Sequence, residues 1–199
     1  MRSRFRSTRV TRRLEAGYSL VEMMLIVGIM GVVGSMAVIQ LGQSQPSMKG
    51  DGAMRVIMAQ LNAAREMSIS QRRQMQLGFI NGNQITITRI EVPAANTLLT
   101  TVYLEGGLQY GLISGIADTP DAFGNSTSTY FGTATKIIFN SDGTLIDQAG
   151  NPLNGTIFVA LPNMALGAPG ARSFRAVTIF GGTGRVRGYR WDGGRWTLA

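Results

Sequence analysis

Met23-Met-Leu-Ile-Val-Gly28-Ile-Met-Gly31-Val-Val-Gly34-Ser35-Met-Ala-Val-Ile39 is a run of 17 residues in which Ser35 is the one polar side chain. No charge occurs from Met23 to Met48. As a helix the run covers about 26 Å at 1.5 Å per residue. That approaches the ~30 Å of a bilayer's hydrocarbon layer, and Tyr18–Val21 lengthen it. A buried core helix is the alternative, but so long an uncharged stretch predicts a membrane span. Just before it stand Arg2, Arg4, Arg6, Arg9, Arg12 and Arg13 against Glu15, a net of +5 over residues 1–17. Positive charge on one flank keeps that flank cytoplasmic, so the chain from about residue 45 lies across the membrane. A secretory signal would end in a small-x-small cleavage site, and Ala37-Val-Ile-Gln-Leu-Gly42 offers none. Glu22 heads the apolar run; an acid there is costly in lipid and marks a partner or a function.

The rest of the charge is equally local. The 199 residues carry 19 Lys+Arg and 11 Asp+Glu, a net of +8, with no Cys and no His. Disulfides, thiolate or imidazole metal sites and Ser-His or Cys-His catalysis are therefore excluded. The second basic end, 172–199, sets Arg172, Arg175, Arg185, Arg187, Arg190 and Arg195 against Asp192, again +5. Everything between the two ends is near neutral, so the overall charge points to a membrane surface at one end and to nucleic acid at the other.

Gly42–Gly52, with Pro46, predicts a bend. Met54, Ile57, Leu61, Ala64 and Met67 then recur at helical spacing, predicting an amphipathic helix to Arg72. Period-two segments follow at Gln74–Ile80, Gln84–Val92, Leu98–Leu104, Lys136–Asn140 with Thr144–Ile146, Gly155–Leu161, Ser173–Phe180 and Arg185–Trp191. Asn81-Gly-Asn, Ser141-Asp-Gly and Gly181-Gly-Thr-Gly mark hairpin turns, and 114–135 reads as a long loop. The expected class is α+β: a long N-terminal transmembrane helix and a C-terminal antiparallel, β-sandwich-like domain. The segments are 1–17, a basic leader; 18–46, the transmembrane half of the helix; 47–73, its amphipathic half; and 74–199, the β-rich domain.

Alternation along 185–191 places Arg185, Arg187, Tyr189 and Trp191 on one face, with Arg190 between them. Arginines beside flat rings suit a nucleic-acid backbone and stacked bases. A solvated terminal strand with core-capping rings explains the same residues. Asp118, Asp121 and Asn125, and Asn140, Asp142, Asp147 and Asn151, are oxygen-rich, but neither spacing fits an EF-hand, and turn chemistry explains both. Asn125 and Asn154 open glycosylation sequons, which are weak signals alone. No metal, cofactor or catalytic grouping is expected, so the chain reads as a non-enzyme.

Gly17-Tyr18-Ser-Leu-Val-Glu22 resembles the prepilin peptidase site of type IV pilins and type II secretion pseudopilins, with Tyr18 in place of the usual Phe. Leu61-Asn-Ala-Ala-Arg65, Ile137-Ile-Phe-Asn-Ser-Asp-Gly143 and Thr183-Gly-Arg-Val-Arg187 resemble stretches of the GspH/FimT branch, with Ser68 where Ala is common. The resemblance implies cleavage by prepilin peptidase after Gly17 and N-methylation of Tyr18. It implies that Glu22 pairs with a neighbouring subunit's N-terminal amine in the filament. The implied place is the bacterial inner membrane, N-terminus cytoplasmic and β domain periplasmic, with other pilin or pseudopilin subunits and membrane lipid as partners. The function it implies is that of a minor pseudopilin of type II secretion. The alternative it offers is a FimT-like minor type IV pilin that aids pilus assembly or takes up DNA through Arg185 and Arg187, aided by Tyr189, Arg190 and Trp191.

Overall fold

The computed structural model describes residues 17–199 apart from 133 and 135; the expected leader thus lies outside the described residues, save Gly17. One α-helix, α1, spans Leu20–Gln71. Eleven strands follow: β1 (Met75–Ile80), β2 (Gln84–Arg89), β3 (Thr97–Tyr103), β4 (Gln109–Tyr110), β5 (Thr129–Tyr130), β6 (Ile137–Phe139), β7 (Leu145–Ile146), β8 (Gly155–Ala160), β9 (Arg175–Phe180), β10 (Arg185–Trp191) and β11 (Trp196–Leu198). A short 3-10 helix, Pro169–Ser173, precedes β9. The α+β class expected from sequence is the one observed. The chain divides into two units at Leu41/Gly42; the second contains the whole β domain.

α1 runs uninterrupted through Pro46, within the segment where a bend is expected. Proline removes one helical hydrogen bond but its φ suits a helix, so one lost bond need not end 52 residues of ladder. The helix stops instead at Arg72, whose φ of 51° lies in the left-handed region. There Arg73 N–H donates to Ser68 O at 3.2 Å and Arg72 N–H to Ile69 O at 3.3 Å, the paired closure of a Schellman cap.

The strands form two antiparallel sheets, ordered β3-β2-β1-β6-β7 and β11-β10-β9-β8-β4, with β5 also on β8. The main core joins Ala53, Met54, Ile57, Leu61 and Ala64 of α1 to inward residues of both sheets, including Leu77, Ile87, Phe139, Ile157, Val177 and Ile179. A second cluster covers the other face of the second sheet: Phe158, Phe174, Ala176, Tyr189, Trp191 and Trp196, with Ile113 just before the long loop and Ile116 within it. With both faces covered, β8 is buried at all six positions, the pattern of an apolar run rather than an alternating one. The long loop is thus partly folded. It contributes β5, and β4 and β11 are likewise additions to the expected strands.

The three late motifs meet. Arg65 Nε donates to Gly143 O at 3.2 Å, and a Cβ on Gly184 would collide with Gly143 O and the Arg65 side chain. Gly184 also has a φ of +63°, which L side chains adopt at a cost of about 1–2 kcal/mol. Gly184→Ala is therefore expected to cost about 2–4 kcal/mol, clash and strain together. Gly182→Ala, two residues away in open space, should stay within about 0.5 kcal/mol of wild type. Denaturant midpoints of the two variants check this; equal midpoints would reject the close approach.

Candidate functional site: an exposed apolar helix and an arginine-bearing strand

Gly17, Tyr18 and Ser19 precede α1, outside regular structure and exposed. Met23 N–H donates to Ser19 O at 3.1 Å, starting the helical ladder. Glu22 falls in the first turn, where the helix dipole favours an anion. Leu20–Val38 has a mean hydropathy of 2.1 and none of it is buried within the protein. Leu20, Met24, Val27, Met30, Val33 and Val38 are all more than half exposed. A continuous apolar surface of this kind requires lipid or other helices around it. Gly28, Gly31 and Gly34 have open space where a Cβ would stand, so this backbone admits close approach by a neighbouring helix.

The alternation expected for β10 holds, but its side chains have different roles. Arg185 and Arg187 place their guanidinium carbons 4.8 and 5.1 Å from the Phe180 ring centroid. Phe123, from the long loop, meets Phe180 edge-on at 4.8 Å. Arg187 Nη1 donates to Asp121 Oδ1 at 2.8 Å, and Thr178 Oγ1 donates to Asp121 Oδ2 at 2.6 Å. Tyr189 and Trp191 are buried. Trp191 packs edge-on against Trp196 at 5.3 Å, and Trp196 Nε1 donates to Ala117 O at 2.8 Å. Burial, and the Asp121 carboxylate beside it, raise the Tyr189 phenol pKa. The rings expected to stack on bases are therefore committed to packing under the long loop.

Arg190 points to the opposite face and donates to Asp51 from Nε at 3.2 Å and Nη2 at 2.8 Å. Asp51 also receives Arg175 Nε at 2.7 Å, and Arg195 pairs with Asp192 at 3.3 Å. Four of the six C-terminal arginines thus have carboxylate partners. Among the described residues, Arg172 and Arg185 have none. The +5 of residues 172–199 already counts Asp192; Asp51 and Asp121, brought in from elsewhere in the chain, lower it to +3 in space.

The oxygen-rich loops serve their own turns. Asp142 accepts Thr144 Oγ1 at 2.6 Å and Thr144 N–H at 2.9 Å, bonds that hold its carboxyl below the usual range. Asp147 accepts Ala149 and Asn151 N–H at 2.8 and 2.9 Å, and Asp118 accepts Thr119 and Gly124 N–H, both at 2.7 Å. Among the described residues no three Asp, Glu, His or Cys side chains cluster as a metal site. Asn154 Oδ1 accepts Gly181 N–H at 2.8 Å, tying β8 to the β9–β10 turn.

No protein-family model matches the chain, and no curated protein matches it. Among solved structures it is similar to the type IV minor pilin FimU of Pseudomonas aeruginosa strain PAO1, with a TM-score of 0.48 and 15% identity over 74% of this chain and 91% of that one. It is similar also to the minor pseudopilin EpsH of the Vibrio cholerae type II secretion system. One EpsH structure gives a TM-score of 0.41 and 14% identity over 75% of this chain and 94% of that one. A second gives 0.42 and 15% over 69% and 93%.

Proposed function

We propose that the chain is a minor pseudopilin, a structural subunit of the periplasmic pseudopilus of a type II secretion system. One observation carries this reading. An exposed, uncharged helix headed by Gly17-Tyr-Ser-Leu-Val-Glu22 continues as the same α1 whose later residues enter the β-domain core. In this reading prepilin peptidase cuts after Gly17 and Tyr18 is methylated. Residues 18–40 hold the subunit in the inner membrane with the β domain periplasmic. Assembly follows from helix packing among subunits in lipid. The subunit performs no catalysis.

Co-expression with a prepilin peptidase tests the premise. Wild-type protein is expected to lose its first 17 residues and to show a methylated Tyr18 by mass spectrometry. Gly17→Ala should remain leader-bearing. Identical processing of the two would reject the cleavage site.

The competing reading, a FimT-like pilin that contacts DNA, draws on one observation: Arg185 has no carboxylate partner among the described residues and shares the Phe180 ring with Arg187. Salt-sensitive DNA binding by the full chain, lost in Arg185→Ala, would favour it. The burial of Tyr189 and Trp191 and the pairing of Arg187 and Arg190 weigh against it.

A further inference from the structure

β3 is an edge strand, and it is guarded less than the other edges of the fold. It spans seven residues, Thr97–Tyr103, and among the described residues it pairs with β2 alone. At the other sheet edges, β7, β4 and β11 have two, two and three residues, and such short edges resist pairing with another chain. Charge and proline are the other usual guards, and Thr97–Tyr103 has neither. The flanking acids, Glu91 and Glu105, stand outside the strand. Among the described residues, seven large apolar side chains after Gln71 are exposed, and Val92, Leu98 and Tyr103 are three of them. A fourth, Ile80, shares a cross-strand row with Tyr103 through Gln84. Apolar exposure in the β domain therefore concentrates along this edge.

The register fixes which backbone groups are free. Leu104 N–H donates to Asn83 O at 2.8 Å, so the backbone of Leu104 faces β2. Val102 lies opposite Ile85 and Thr100 opposite Ile87. Alternation turns the backbone groups of Val102 and Thr100 toward β2 as well, and those of Tyr103 and Thr101 away from it. A bulge at Ile87/Thr88 interrupts the ladder beyond Thr100, which leaves Thr100–Tyr103 as the regular stretch. The N–H and C=O groups of Thr101 and Tyr103 thus face outward, and among the described residues no backbone group of this chain meets them.

We propose that β3 is a self-association edge, pairing antiparallel with β3 of a second copy of this chain. Two-fold pairing of the regular stretch sets Thr101 opposite Tyr103 of the second copy and Val102 opposite its own counterpart. That register joins the outward groups in about four N–H···O=C bonds. It also sets each Tyr103 ring beside a β-branched threonine, a favourable cross-strand pair. A second copy suits the edge for two reasons. The chain is uncharged from Pro93 to Leu104, so two copies meet there without like charges in opposition. The same chain also offers in return an edge of equal length, where its other edges are too short. Pairing joins the two five-stranded sheets into one continuous sheet. The proposal uses the β domain alone and does not depend on the pseudopilin reading.

The chain has no cysteine, so a single introduced thiol can form a disulfide only with another copy. The full chain carrying Val102→Cys, oxidised in detergent, is expected to run as a disulfide-linked dimer. Opposed residues of a non-hydrogen-bonded pair stand about 4.5 Å apart between Cα atoms, within disulfide reach. Thr100→Cys, whose two copies stand about 14 Å apart in this register, should stay uncross-linked. Sedimentation equilibrium of the wild-type chain in detergent is expected to show monomer and dimer. Thr101→Pro removes an outward N–H and spares the β2–β3 ladder, and Thr101→Lys puts a charge on the exposed edge. Each should weaken association about tenfold while circular dichroism melts match wild type; the lysine variant decides if proline lowers the melt. Association unchanged in the variants belongs to another surface, α1 included, and overturns the proposal. Equal cross-linking at residues 100 and 102 overturns it too. A wild-type chain that stays monomeric does the same and leaves the edge to a strand from a different protein.

Discussion

Asp51→Ala is expected to destabilise the β domain by about 3–5 kcal/mol, because it leaves a buried charge without its partner. The Arg175 side chain is fully buried, while Asp51 retains 22% exposure. All five guanidinium N–H groups are used: Nε on Asp51, Nη1 on the Arg172 and Phe174 carbonyls, Nη2 on the Ser47 carbonyl and hydroxyl. Burial pulls the guanidinium pKa below its ordinary value, and the Asp51 carboxylate opposes that pull. Removing Asp51 takes away the opposing charge and one acceptor. The half-exposed Arg190 loses little, since solvent screens it. For a domain of this size the loss corresponds to a drop of on the order of 10 °C in melting temperature. That is a large share of a typical stability of about 5–15 kcal/mol. Circular dichroism melts of the full chain in detergent measure it. Adding Arg175→Met to Asp51→Ala should restore much of the loss, since replacing both members of a buried pair is often near neutral. A single variant that melts like wild type would show that Arg175 is solvated after all.

This pair also shows where sequence reading stops. Arg175 precedes Ala176-Val-Thr-Ile-Phe180 and looks like a solvated strand end. Its partner is 124 residues away, and no local pattern links the two. The elements that were legible are those with local signatures. The turn at Asn81–Asn83 sets β1 and β2, with Asn81 and Gly82 both at positive φ. The Gly181–Gly184 turn sets β9 and β10, and β10 spans the expected 185–191. β4 and β5 have two residues each and β11 three. Their pairing partners, β8 and β10, define them, so nothing within so short a segment announces them. Alternation put Tyr189 and Trp191 on the correct face of β10. It does not say whether that face is covered, and here Ile113, Ile116 and the Asp121 and Phe123 contacts bring the long loop over it. Charge read along the sequence misses the same kind of link: Asp51 and Asp121 lie far from Arg175, Arg187 and Arg190 in sequence and beside them in space.

Glu22→Ala is expected to leave the protein in the membrane and to reduce its entry into filaments by about two to three orders of magnitude. Membrane retention depends on Leu20–Val38, whose apolar character the substitution increases. An acid inside the apolar layer costs up to about 2.5–3.5 kcal/mol, so its loss eases insertion. Entry into the filament is different. In the function proposed above, cleavage would leave the Tyr18 amine as a positive charge at the head of the same apolar helix, and a neighbour's Glu22 would offer its counter-charge. Removing one member of such a pair in a water-poor setting costs about 3–5 kcal/mol, and each 1.4 kcal/mol is tenfold in equilibrium. Carbonate extraction measures retention, and immunoblots of sheared filaments measure incorporation. Glu22→Asp, which keeps the charge on a shorter stem, should recover part of the incorporation, and Glu22→Gln, which keeps the shape without the charge, should not. Full incorporation of Glu22→Ala would remove the ion pair from the assembly mechanism, and helix packing through the apolar face would then have to supply the register by itself.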